Sequence, residues 1–180
     1  MKLSHVCPFL ILLFFGLISL LTLPWNPLLN DDASFYALAI KNCVTHGQWF
    51  AQYLTPSDPT SFLDKPPLGI WALSLPTLFL GVNELWVHVA NVLYGIFFVG
   101  IFYGTLVRLG LKKISGVASG ICATSLAFLV YSRSPKLEIL LTITVWLAGV
   151  CLFRLIKTKK PVFFYGLATA TVAGFLIKSG

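Results

Sequence analysis

The chain has 180 residues, 57% hydrophobic and only 11% charged, with a mean hydropathy of +0.87. Soluble globular domains carry about a quarter charged residues, so this balance excludes that class and points to an all-α integral membrane protein. The net charge of +7 comes without a dense basic stripe and interleaved aromatics, which excludes a nucleic-acid partner and leaves the basic residues to membrane orientation.

A bilayer core takes about 20 apolar residues as a helix, and five runs approach that length: 6–23, 85–107, 114–131, 139–156 and 162–177. The first follows a short basic start without a small-residue cleavage site, so it reads as an uncleaved anchor. A long loop, 24–84, comes next and opens on the adjacent acids Asp31 and Asp32 in "NDDASFY". The stretch "DDASFYALAIKNCVTHG" has the pattern of a short helix, with an acid as N-cap and Gly47 as the stop. Ser34, Lys41, Asn42 and Thr45 fall on one face and Ala37, Ile40 and Val44 on another, which predicts an amphipathic helix lying flat on the membrane surface. One cap needs one side chain, so the second carboxylate is left without a structural task.

In "SFLDKPPLGIW" the pair Asp64 and Lys65 precedes two prolines that stiffen the backbone and let a helix begin. The apolar run 67–80 that follows is short for a crossing and is interrupted by Pro76, so it reads as an interfacial or re-entrant helix. The charge bias agrees. With five spans and a cytoplasmic N-terminus, Lys2, the Arg108/Lys112/Lys113 group and the Arg154/Lys157/Lys159/Lys160 group stand inside, as the positive-inside rule requires. A sixth crossing at 67–80 would send both dense groups outside. The same topology puts Asp31, Asp32, Asp58, Asp64, Glu84 and Glu138 on the outer face or at outer helix ends, a segregation that membrane insertion does not demand.

Within 85–107, His88 and Asn91 read as packed or interfacial polar residues, and Gly95, Gly100 and Gly104 as close-packing positions of a helix bundle. The outer loop in "SRSPKLEILLT" places Ser134 as a cap, Pro135 at the start of the fourth span and Glu138 in its first turn, where the helix dipole favours an anion. That does not account for Arg133 and Lys136, basic residues on a side where they are disfavoured. Cys7, Cys43, Cys122 and Cys151 are scattered without disulfide or metal spacing and read as small apolar fillers.

The ordered set "DDASFYALAIKNCVTHGQWF", "FLDKPPLGIWALSLPTLFLGVNELWVHVAN", "SRSPKLEILLTITVWLAG" and "GFLIKSG" resembles the N-terminal portion of the GT-C class of polyprenyl-phosphate-sugar-dependent glycosyltransferases. The resemblance is to bacterial relatives of protein O-mannosyltransferases and to aminoarabinose transferases. It implies a catalytic Asp at Asp31 with Asp32 beside it, a second catalytic acid at Glu138, and substrate binding by Asp64 and Lys65. Many relatives have Asp where this chain has Glu138, which moves the carboxylate by about 1.5 Å. The family continues for several more spans, whereas this chain stops at "KSG". The expectation is therefore a partial transmembrane domain, truncated relative to the family, with activity by itself left open.

The implied donor is a sugar on a polyprenyl phosphate, delivered to the non-cytoplasmic face of the cell membrane, and the implied acceptor is a lipid or a protein. Polyprenyl phosphate is a good leaving group that needs charge stabilisation more than protonation. A carboxylate, Asp31, would then serve as general base on the acceptor hydroxyl, with Lys65, Arg133, Lys136 and Lys178 as phosphate partners. Some relatives imply a divalent metal at the position of Asp64, which otherwise positions Lys65. A non-enzymatic membrane subunit or a transporter is the competing class; there, ionisable residues usually sit at bilayer depth and face a pathway.

Overall fold

The computed structural model describes residues 3–21, 32–50 and 65–178. Among these residues all regular structure is helical: α1 (Leu3–Leu21), α2 (Asp32–His46), α3 (Pro67–Leu80), α4 (Glu84–Arg108), α5 (Lys112–Thr124), α6 (Leu126–Ser132), α7 (Glu138–Thr158) and α8 (Pro161–Ile177). The all-α expectation is met, whereas the expectation of five spans is met in part. By length and composition α4 and α7 are long and apolar enough to cross a membrane, and α5 with α6 makes a third if the bent pair counts as one span. At 17 residues, α8 is about 26 Å long against a hydrocarbon core of about 30 Å.

The run 114–131, expected as one span, is broken at Ser125, where the helix turns by 62° and the backbone is extended at φ −64°, ψ 134°. No proline stands at the break, and two hydroxyl groups bond backwards beside it. Thr124 Oγ1 donates to the Gly120 carbonyl at 2.8 Å and Ser125 Oγ to that of Cys122 at 2.9 Å, so side chains compete for acceptors that the helical ladder would use.

Three helices form the frame. α4 carries α1, α3, α5 and α7 around it, and α8 returns along α7. Small residues set how closely they meet, as is usual where lipid removes most of the hydrophobic drive between helices. A Cβ added at Gly95 would lie 3.0 Å from both Phe15 Cζ and Ser132 Cβ, and one at Gly166 would lie 2.8 Å from Cys151 Sγ. Gly100 and Gly104, expected to be close-packing positions too, have open space over them among the described residues.

α2 buries more of its surface than the expected apolar stripe. Ala33, Tyr36, Ala37, Ala39, Ile40, Asn42 and Cys43 are buried, and most of them join Ile70, Leu73, Val87, Ala90, Leu137, Leu140 and Ile177 in one core. The buried face is wider than the apolar stripe because alanines and a cysteine let α3 approach, and it takes in Asn42, which the sequence placed with the polar set. Cys43 meets the expectation of a filler. Its Sγ donates to the Gln48 carbonyl at 3.1 Å, and burial pushes the thiol up to about 11, so it stays protonated at neutral pH.

α3 begins at Pro67, where a missing N–H costs nothing, and then runs straight through Pro76. Proline at 76 has no N–H for the carbonyl of residue 72. Tyr94 of α4 supplies the missing donor, its hydroxyl bonding the Ala72 carbonyl at 2.8 Å. The interruption expected at Pro76 is thus repaired by a tertiary contact. Tyr94→Phe should cost about 1–3 kcal/mol by orphaning that carbonyl, and the cost should largely vanish in a Pro76→Ala background, where residue 76 regains its N–H. Thermal midpoints of the four proteins in detergent check this; an equal cost in both backgrounds would sink the repair account.

Candidate functional site

The candidate residues that the structure describes gather at one end of the bundle. There the first turns of α2, α4 and α7 carry Asp32, Glu84 and Glu138, whereas the last turns of α4 and α7 carry Arg108 and Lys157 at the other end. At that basic end Arg154 Nη2 donates to the Arg108 carbonyl at 3.2 Å, joining the two C-termini. Acid at helix starts and base at helix ends both complement the helix dipoles.

Packing of α3 explains how the acidic end is assembled. A Cβ built on Gly69 would lie 2.6 Å from Leu137 Cδ2 and 3.1 Å from the Ile177 carbonyl, so only glycine lets α3 press against both residues. Leu137 and Ile177 are 0% and 5% exposed, and each immediately precedes a charged residue, Glu138 and Lys178. Bringing the two apolar neighbours onto α3 brings the two charges together. Lys178 Nζ donates to Glu138 Oε1 at 3.0 Å, with both side chains a little over one-quarter exposed. Glu138 Oε2 is buried and has no hydrogen-bond partner among the described residues. Lys65, half-buried, stands two residues ahead of α3 and so enters the same end.

The turn between α6 and α7 is held from α4. His88 Nδ1 lies 2.6 Å from the Arg133 carbonyl, and Asn91 Nδ2 donates to the carbonyls of Lys136 at 2.8 Å, Tyr131 at 3.2 Å and Ser134. His88 and Asn91 are 2% and 0% exposed. A carbonyl only accepts, so the imidazole carries its proton on Nδ1 and the amide presents nitrogen, not oxygen. The reading of both as packed residues holds; beyond their spacing, three apart at the start of a span, nothing in the residue order shows that they reach the 131–136 backbone.

Pro135 is buried, but α7 starts at Glu138, capped by no side chain. The expectation that Ser134 caps and Pro135 starts this span is therefore corrected, because the Ser134 carbonyl is already engaged by Asn91 and by the amide of Lys136 at 2.7 Å. Arg133 Nε donates to the Leu129 carbonyl at 3.1 Å, and the Lys136 ammonium lies over the Tyr131 ring, 5.8 Å from its centroid. A groove of about 530 Å³ separates α2 from the start of α4 and is lined in part by Ser34, Lys41, Thr45, Asn83 and Glu84. Three of the four residues assigned to the polar face of α2 line it.

Asp32 is exposed in the first turn of α2. Asp31 and Asp64 lie outside the described residues, and with them the expected base and the expected metal ligand. Among the described residues no group of three metal-ligating side chains comes together, so no step is derived through a metal.

Residues 64–180 match the family model described as dolichyl-phosphate-mannose-protein mannosyltransferase. An "Uncharacterized protein" of Aquifex aeolicus is 28% identical over 96% of this chain and 35% of its own length. A Bacillus subtilis protein named "Putative mannosyltransferase YycA" is 27% identical over 74% of this chain and 20% of its own length. The chain therefore spans about a third and a fifth of the lengths of these relatives. No solved structure matches.

The Glu138–Lys178 pair closes the α7–α8 hairpin, and its exposure limits what it contributes. A double-mutant cycle with Glu138→Gln and Lys178→Met should give a coupling of about 0.5–1 kcal/mol that shrinks with added salt. Zero coupling at low salt would mean that packing at Leu137 and Ile177 alone closes the hairpin.

Proposed function

The chain belongs to the dolichyl-phosphate-mannose-protein mannosyltransferase family, and from that premise we propose that it moves a mannosyl or related sugar from a polyprenyl-phosphate donor to a lipid or protein hydroxyl. Family membership supports a membrane glycosyltransferase in the general sense; the donor, the acceptor and the side of the membrane are our reading. The observation that carries it is the extent of the match, which begins at Asp64 and Lys65 and runs through Glu138 to Lys178.

In this reading the bond between the sugar's anomeric carbon and the donor phosphate breaks, and the acceptor oxygen forms the new bond to that carbon. Asp31 takes the acceptor's proton as general base, with Asp32 next to it. Polyprenyl phosphate departs as an anion that Lys65 and Lys178 stabilise, assisted by Arg133 and Lys136. Glu138, counted with the catalytic acids from the resemblance, holds the Lys178 ammonium at 3.0 Å and so gives that cation a fixed position to turn from. The acidic end of the bundle faces the non-cytoplasmic side of the cell membrane and the basic end the cytoplasm, with five crossings, α1 and α8 included, an N-terminus inside and α3 confined to the interface.

The test uses the chain in detergent with a radiolabelled polyprenyl-phosphate sugar and a membrane-lipid or peptide acceptor. Asp31→Asn should lower turnover about 10²–10⁴-fold, the usual contribution of a positioned base, and leave donor affinity within about threefold. Lys65→Ala should weaken donor binding about tenfold or more, as loss of a charged hydrogen bond does. Turnover unchanged in Asp31→Asn would remove the base from Asp31, and a donor that binds neither the parent nor the variants would favour a non-enzymatic membrane subunit.

A further inference from the structure

The transfer reading names the groups that act; it leaves open what fixes the segment on which Arg133, Lys136 and Glu138 are carried. We propose that His88 and Asn91 are positioning residues for this site, which through the backbone of 131–136 set where those three side chains stand. The inference rests on the transfer reading for its consequence and on geometry for its substance.

The segment from Arg133 to Leu137 has no helical ladder of its own, so its carbonyls need donors from elsewhere. Those of Arg133, Ser134 and Lys136, with that of Tyr131 at the end of α6, all find them on two side chains of α4. Neither side chain can turn away, since both are almost wholly buried, and among the described residues neither has a rival partner: His88 Nε2 and Asn91 Oδ1 are buried without one. Among the described residues, every hydrogen bond given by these two side chains points at the same loop. The loop in turn ends at Leu137, which is locked under Gly69, and the next residue is Glu138. A shift of the loop carbonyls therefore moves the start of α7, the Glu138 carboxylate and the Lys178 ammonium bonded to it. Misplacement of reacting groups by about 1 Å is worth about a hundredfold in rate.

Isosteric substitutions separate this role from simple packing. The amide nitrogen of Asn overlays Nδ1 of a histidine, whereas that of Gln overlays Nε2. His88→Asn can still donate to the Arg133 carbonyl, and His88→Gln cannot, although Gln fills more of the histidine's volume. Asn91→Asp keeps shape and replaces a donor by an acceptor facing carbonyls.

Two readouts are taken on each variant in detergent: the kinetics of sugar transfer with the binding constant for polyprenyl phosphate, and backbone amide exchange over residues 126–140 against residues 92–106 of α4. The expected result is a turnover loss of about a hundredfold in Asn91→Asp and His88→Gln, recovery to within about threefold of the parent in His88→Asn, and exchange that rises only in the loop. Rescue by Gln as good as by Asn, or parallel loss of protection throughout α4, would reduce both residues to core filling and overturn the proposal. Absence of transfer by the parent protein defeats the transfer reading separately; loop exchange then decides, and protection unaltered in Asn91→Asp overturns the positioning role on its own.

Discussion

A buried backbone turn outside a helical ladder must find its hydrogen-bond partners in the protein, and the stretch 133–137, packed against α4, is such a turn. Irregular backbone is tolerated where protein covers it and supplies partners. Here the partners are His88 and Asn91, and their bonds to the 131–136 carbonyls are the constraint from which the rest of this end follows. With the turn fixed, Leu137 drops into the core shared with α2 and α3. α7 then starts at Glu138 in a set position, and α8, packed along α7 through Gly166 and Gly174, comes back with Lys178 opposite it. No single contact in this sequence is strong, but each has little freedom once the previous one is made.

The same economy governs α3. A helix of 14 residues is too short to settle across a bilayer and so must be held by protein. Three unlike contacts do this: glycine against Leu137 at its start, the Tyr94 hydroxyl on the carbonyl that Pro76 frees, and Trp71 Nε1 on the Trp49 carbonyl at 2.7 Å with Phe50 set edge-on to the indole. Trp49, Phe50 and Trp71 form the joint between α2 and α3, because an indole has an N–H that must be met when its ring is half buried.

Much of this was legible in residue order. The spans α4 and α7 follow from unbroken apolar runs, the start of α3 from its paired prolines, and the helix at α2 from an acid at one end and a glycine at the other. What was not legible depends on distant partners. Pro76 reads as a breaker until Tyr94 is placed beside Ala72, and the run 114–131 reads as one span until Thr124 and Ser125 are seen bonding backwards. Asn42 and Gly100 show the same limit: periodicity says which residues share a face, not how wide the covered face is or which glycine has a neighbour. Of the candidate site, the pairing of Glu138 with Lys178 joins two residues singled out separately, forty positions apart, whereas the anchoring role of His88 and Asn91 needed the fold.

The family match starts at residue 64, and α2, with the acids that lead into it, lies ahead of that point. Packing argues that the two parts belong to one unit. Tyr36, Ala39, Ile40 and Cys43 of α2 share a single buried core with Ile70 and Leu73 of α3, Leu137 before α7 and Ile177 at the end of α8. Those last two are the residues whose burial brings Glu138 and Lys178 together. An apolar face on α2 that were merely dipped in lipid would not need alanines and a cysteine at its centre; it would use larger side chains and leave no surface for α3 to meet. The helix that begins at Asp32 is thereby fixed to the same apolar cluster that fixes the Glu138–Lys178 pair.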